Sequence, residues 1–297
     1  MKHLFALLIL YFAFCIFNFS VAQSVLIVIA HPDDEAACAA TIYKITKELN
    51  GTADIALITN GEGGYKYSTL AEKYYNLELT DEKIGRENLP RIRKTELMNA
   101  GKIIGIRNYF FLEQQDRKYT TDERDPLDTV WNIPFVKKRL EEIMIKGKYD
   151  FVFCSLPVPE THGHHKAAAM LALETVKQLS KEQRPVILGF SGSAKTDTVK
   201  TEFTQLKEYT ITAVNKTVKP FVLDRTTKFG YKNTLDYKVI VNWDIAEHKS
   251  QGTMQILMNQ DDYENFWFFK LNDDTGIEKT RTLFDALKHT PYPVKSY

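Results

Sequence analysis

Apolar and polar positions along the chain fall into two patterns that alternate. Short, nearly unbroken apolar runs rich in β-branched and aromatic residues occupy 25–30, 55–59, 109–112 and 150–155. A run with no polar face reads as a strand covered on both sides, as in a parallel sheet. Between these runs, 35–49, 91–104, 131–146 and 166–179 carry apolar residues at helical spacing. The first of them stops at Asn50-Gly51 and the second at Gly105, both ordinary helix ends. Strand–helix alternation of this kind predicts an α/β protein, a mostly parallel sheet with helices on both faces. A fifth apolar run, 186–190, reads as the last parallel strand. From 196 to 241, Thr, Val, Tyr and Lys alternate instead, which predicts antiparallel ribbons in a β-rich C-terminal extension. No linker separates the two regions, so the pattern predicts one domain over 23–297, with its core at 24–190 and the extension at 191–297. Residues 65–90 are polar, Tyr-rich and weakly periodic, and read as an excursion over a functional edge.

The N-terminus does not belong to that domain. A short basic start, Met1-Lys2-His3, precedes an apolar run over 4–17, and Ser20 and Ala22 place small residues before a cut after Ala22. This is the pattern of a secretory signal peptide, and the run is shorter than the ~20 residues of a spanning helix. The expectation is export, periplasmic or extracellular, of a mature chain without a transmembrane helix. Removing the leader takes Lys2 away and leaves positive and negative side chains equal in number.

Composition narrows the function classes. With 39 Lys+Arg against 38 Asp+Glu, no basic excess is available for a nucleic-acid partner. Aromatic residues make up 12% of the chain, which suits a filled core or a sugar-contacting cleft. Of the three cysteines, Cys15 lies in the leader, and Cys38 and Cys154 sit in apolar company and read as buried thiols.

Candidate chemistry concentrates in two segments. Ala30-His31-Pro32-Asp33-Asp34-Glu35 directly follows the first strand, and Pro159-Glu160-Thr161-His162-Gly163-His164-His165 lies between the fourth strand and its helix. In an open parallel sheet, sites form beyond the carboxyl ends of strands, so these distant segments can face each other. A histidine–carboxylate set from two loops suits a catalytic zinc with positions left open. His31 and Asp34, three apart across a strand-to-helix turn, can point at one ion, with His165 as third ligand. Asp33 cannot share their direction and could hold the attacking water as general base. His162 could protonate a leaving group or steady an oxyanion. The plain alternatives are an acidic helix start beside a chance histidine and a solvated His-rich turn, and both would have to hold at once.

These two segments resemble the LmbE-like, or PIG-L, family of zinc-dependent N-deacetylases. The resemblance extends to Thr59-Asn60-Gly61-Glu62-Gly63-Gly64, to Arg93-Lys94-Thr95-Glu96, and to His248-Lys249-Ser250-Gln251. It implies a Rossmann-like fold and one zinc per chain held by His31, Asp34 and His165. It implies Asp33 as general base, His162 as acid or oxyanion stabiliser, and Arg93 as a contact to the substrate's sugar. Some members carry an aspartate at the place of His164 and a tyrosine at that of Glu160. The implied function is a secreted hydrolase that removes the N-acetyl group of an N-acetylated amino sugar or glycoconjugate by attack of zinc-activated hydroxide on the amide. The competing class is a non-catalytic carbohydrate- or metal-binding relative, against which the presence of Asp33 argues, since holding zinc does not require it. A metal-dependent phosphoesterase would want more carboxylates for two metals.

Overall fold

The computed structural model describes residues 22–197 and 202–292, so the leader expected over 1–22 falls outside them except for Ala22. Among the described residues, no helix is long and apolar enough to cross a membrane. Seven strands form one sheet: β1 (Ser24–Ile29), β2 (Thr52–Thr59), β3 (Ile106–Gln114), β4 (Phe151–Ser155), β5 (Val186–Ser193), β6 (Phe221–Asp224) and β7 (Tyr263–Phe268). Their order is β3-β2-β1-β4-β5-β7-β6, with the first five parallel and β7 antiparallel to both β5 and β6.

The helices are α1 (Ala39–Tyr43), α2 (Thr69–Tyr75), α3 (Glu82–Ile104), α4 (Ile133–Gly147), α5 (Gly163–Gln178), α6 (Lys238–Glu247), α7 (Gly252–Gln255) and α8 (Thr275–Leu287). A tight 3₁₀ turn, Asp34–Cys38, leads into α1. The two faces of β1 show why its sequence has no polar side. Val25, Ile27 and Ile29 pack with Ile42, Ile45 and Leu97, while Leu26, Val28 and Ala30 pack with Val136, Leu140 and Ala168 on the opposite face. Successive side chains alternate across a strand, so an unbroken apolar run is what two covered faces require. Cys38 and Cys154 are buried free thiols, one in each of these two cores.

Two readings of the chain differ from the structure. The helix expected from residue 91 starts at Glu82, where Asp81 accepts the Ile84 N–H at 2.9 Å, and it runs on through Pro90. Its polar first turns were hidden because they bury only a few positions, such as Leu89, against a small cluster with Tyr65, Ala71 and Leu79. In 196–241, the one named strand is β6, and Lys238 begins α6. The antiparallel pairing is present, but among the described residues it is a strand pair with β7 at the edge of the main sheet and isolated bridges, Leu206 with Tyr209 and Phe229 with Leu235, in place of extended ribbons. The alternating Val and aromatic residues there instead fill irregular backbone, with Val214, Phe229 and Tyr237 buried.

Candidate active site

Strand order reverses between β1 and β4, whose backbones pair through Val28 and Cys154. The crevice at such a reversal is where an open α/β sheet offers a site. Both histidine-bearing segments leave the sheet there, one from each strand.

The turn after β1 sends Asp33 and Asp34 in different directions. Asp33 takes φ 155° and ψ −14°, a conformation that side-chain-bearing residues rarely adopt. Asp34 folds back over the strand end, and its Oδ2 accepts the N–H groups of Ala30 and His31, both at 2.9 Å. Its Oδ1 is thereby aimed at the imidazoles, 3.1 Å from His165 Nε2 and 3.7 Å from His31 Nδ1. His31 Nδ1 and His165 Nε2 are themselves 3.1 Å apart. In a tetrahedral zinc site with bonds of ~2.0–2.1 Å, neighbouring ligand atoms stand about 3.4 Å apart, so this triangle has the right size and donor set. Thr161 Oγ1 lies 3.1 Å from His165 Nδ1 and orients that ring with Nε2 inward.

The remaining predicted residues surround the triangle. The ring of His162 is centred 5.0 Å from that of His31 and 5.5 Å from that of His165. Its Nε2 faces the Lys118 carbonyl at 3.3 Å, while its buried Nδ1 has no protein partner. Burial, reinforced by the charges of His31 and His165, pushes His162 down to about 4, so the free ring is neutral at pH 7. Glu160 is exposed and does not line the cleft.

Arg93 is buried and is not paired with Glu96. Its Nη2 donates to Asp33 Oδ2 at 2.9 Å and to the Pro32 carbonyl at 3.0 Å, and Nη1 donates to the Gly61 carbonyl at 2.6 Å. Gly61 has φ 74°, and a Cβ there would lie 2.5 Å from Arg93 Nη1. The glycine loop thus closes onto the arginine that holds Asp33, and Arg93 still lines the cleft. Glu96 instead accepts the Ser250 N–H at 2.8 Å, the Ser250 hydroxyl at 2.5 Å and the Tyr75 hydroxyl at 2.7 Å. His248 joins the fully buried Glu35 at 2.5 Å, which anchors the late segment under the site and brings Gln251 to the cleft wall. The third member of the Asp33-Asp34-Glu35 run therefore serves this ion pair and not the helix N-terminus.

Adjacent carboxylates are driven apart electrostatically. Burial pushes Asp33 up, and the Arg93 charge only partly opposes it. Burial also disfavours the Asp34 anion, but the His165 and His31 imidazoles outweigh it and hold Asp34 well below the usual carboxylate range. Two neighbouring acids held in opposite protonation tendencies suit one base and one permanent anion.

Some residues of the site were not evident from pattern. Asp116, just past β3, lies with Oδ2 3.9 Å from His31 Nε2 and Oδ1 3.5 Å from His164 Nδ1. His164 lies 3.1 Å from His31 Nε2 and is held down to about 2 by burial and the other imidazoles. Asp116 thus sets a carboxylate beside both His31 and His164. Its signal was an acid directly after a strand's carboxyl end. Tyr119 stacks on His162 with ring centres 4.8 Å apart, and Tyr67 also lines the cleft, each on a polar stretch without periodicity.

Comparison with known proteins bears on this arrangement. Two curated relatives, each named probable N-acetyl-alpha-D-glucosaminyl L-malate deacetylase 2, come from Bacillus cereus and Bacillus subtilis. The first is 26% identical over 165 residues, 56% of this chain and 66% of the relative. The second is 24% identical over 163 residues, 55% of this chain and 65% of the relative. The match spans just under two thirds of each relative's length. In fold, the chain is similar to N,N'-diacetylchitobiose deacetylase from Pyrococcus horikoshii, with TM-score 0.51 and 19% identity over 82% of both chains. It is similarly close in fold to the 4-carboxy-2-hydroxymuconate hydratase GalB from Pseudomonas putida KT2440, with TM-score 0.52 and 14% identity over 85% of this chain and 99% of the other. The fold therefore does not select a reaction by itself. The family model described as GlcNAc-PI de-N-acetylase matches residues 26–176, just over half of the sequence, and the chain belongs to the PIG-L family.

Proposed function

We propose that this protein is a zinc-dependent hydrolase that removes the N-acetyl group of an N-acetylated amino sugar or glycoconjugate. The carrying observation is the triangle of Asp34 Oδ1, His31 Nδ1 and His165 Nε2 beside an Asp33 held by Arg93. These three side chains would hold one zinc ion. When bound there, zinc supplies Lewis acidity to the amide carbonyl and to the attacking water.

The chain's own groups account for the proton movements. Asp33, raised by burial and fixed by Arg93, is placed to take a proton from the attacking water. His162 keeps Nε2 toward the Lys118 carbonyl, which leaves its buried Nδ1 without a protein partner. A neutral ring in that tautomer cannot donate to an oxyanion, so its part is to accept a proton at Nδ1 and pass it to the departing amine. Arg93 acts mainly by positioning Asp33, and the sugar ring contacts the cleft wall that it shares with Asp116, Tyr67 and Tyr119. The names of the Bacillus relatives support an N-acetylglucosaminyl substrate. Export rests on the 1–22 pattern alone.

The test is acetate release by purified protein from N-acetylglucosaminyl malate, N,N'-diacetylchitobiose and N-acetylglucosaminyl-phosphatidylinositol. Release from at least one of them, abolished by a chelator and restored by zinc, is expected. Zinc bound at one per chain with no release from any N-acetyl sugar would instead mark a binding relative without turnover.

A further inference from the structure

Two consecutive residues grip the imidazole of His31, one at each ring nitrogen. His165 Nε2 stands 3.1 Å from His31 Nδ1, and His164 Nδ1 stands 3.1 Å from His31 Nε2. Both come from the first turn of α5, where adjacent side chains diverge by about 100°. That turn is pressed beneath the loop after β3. The Gly163 N–H donates to the Thr120 carbonyl at 2.6 Å, and a Cβ on Gly163 would lie 2.4 Å from the Asp122 carbonyl oxygen. His164 is fully buried, with its ring centred 5.2 Å from that of Trp131.

Resting on the metal site proposed above, we infer that His164 is a positioning residue for His31: its Nδ1 accepts the His31 Nε2–H and so keeps the His31 Nδ1 lone pair turned to the metal. A neutral imidazole binds a metal through one nitrogen only when its proton sits on the other, and that proton needs an acceptor. His31 is buried, so solvent is poorly placed to serve. Asp116 Oδ2, at 3.9 Å from His31 Nε2, is beyond hydrogen-bond reach, whereas His164 Nδ1 is within it. The reverse arrangement, in which His164 Nδ1–H donates to His31, is favoured by Asp116 Oδ1 at 3.5 Å from His164 Nδ1. It moves the His31 proton to Nδ1, however, and closes that corner of the triangle. A metal at His31 Nδ1 therefore selects the first arrangement. The proton it leaves on His164 Nε2 has no hydrogen-bond acceptor among the described residues.

Losing the outer hydrogen-bond partner of a ligating histidine typically costs ~10–100-fold in metal affinity. The experiment measures zinc affinity of the purified chain by competition against a colorimetric chelator, beside His164→Phe and His164→Asn. The phenylalanine keeps a ring of similar size without the acceptor, and zinc affinity should fall ~10–100-fold. The asparagine places an amide oxygen near the site of Nδ1 and should keep most of the affinity. NMR of the ring nitrogens in the zinc-loaded wild-type protein should find the protons of His31 and His164 on Nε2 and His164 Nδ1 bare. Equal affinity in the wild-type protein and His164→Phe, equal losses in both variants, or a proton on His164 Nδ1 in the zinc-loaded protein overturns this role and leaves the metal centre standing. A wild-type chain that binds no zinc removes the metal centre and this role together.

Discussion

Exchanging Asp33 and Asp34 separately for asparagine tests whether adjacent carboxylates have separate tasks. Asp34 Oδ1 completes the triangle with His31 and His165, while Oδ2 is committed to the Ala30 and His31 N–H groups at 2.9 Å. In Asp34→Asn, the amide oxygen must keep those two N–H groups. Its NH₂ then faces two imidazole nitrogens where a ligand oxygen is needed. Metal content should fall sharply and turnover with it, since two protein ligands are too few. Asp33→Asn leaves the triangle intact and keeps an acceptor for Arg93 Nη2 at 2.9 Å. Removing a general base typically costs ~10²–10⁴ in rate, or about 2.7–5.4 kcal/mol at 1.36 kcal/mol per decade. The variant also weakens a charge-assisted hydrogen bond to a buried arginine, so stability should fall by about 1–2 kcal/mol. Metal analysis, kcat and urea unfolding of both variants give the comparison. Zinc lost from Asp33→Asn and kept in Asp34→Asn would reverse the two roles. Near wild-type kcat in zinc-saturated Asp33→Asn would refute Asp33 as the base.

Further outcomes follow from other contacts. Gly61→Ala forces a Cβ to 2.5 Å from Arg93 Nη1 and 2.8 Å from Pro32 Cδ at φ 74°, so it should cost about 1–3 kcal/mol and depress kcat by displacing Asp33; unchanged kcat would dissociate the glycine loop from the base. His248, pushed up to about 9 by Glu35 against the effect of burial, contributes stability that is full below its unfolded pKa of about 6.5 and is lost as pH rises through about 9. His248→Gln should be less stable than the parent at pH 6, with the gap closing by pH 10. Asp54 is buried and accepts Arg107, Asn108 and Tyr149, and despite burial these hydrogen bonds hold its carboxyl below the ordinary range. Its contribution is present above an unfolded pKa of about 3.9 and fades as pH falls through the lower folded value, so Asp54→Asn should be destabilised by about 2 kcal/mol at pH 7 and less near pH 2; an equal difference at both pH values would remove the linkage.

Local sequence was sufficient for the five parallel strands, for several of the helices and for the two segments that meet at the site. Each strand of the parallel core is apolar on both faces because it packs on both, and a contiguous run records that without reference to any other part of the chain. The His31-to-Asp34 and His162-to-His165 spacings are equally local, so the side chains that the fold brings into one triangle could be singled out before any distance was known. What lies outside such patterns was decided by tertiary structure. The first turns of α3 carry little apolar signal because they lean on a small satellite cluster, and the alternation across 196–241 serves packing of irregular backbone around one short strand. Arg93 is three residues from Glu96, yet the fold hands Glu96 to Ser250 and Arg93 to Asp33, a choice made by partners 154 and 60 positions away. Asp116 reaches His31 and His164 from a different strand end, and the two histidine-bearing segments meet only because β1 and β4 are neighbours. Periodicity and spacing report what a residue's own segment does, whereas these contacts are set by which segments the sheet order brings together.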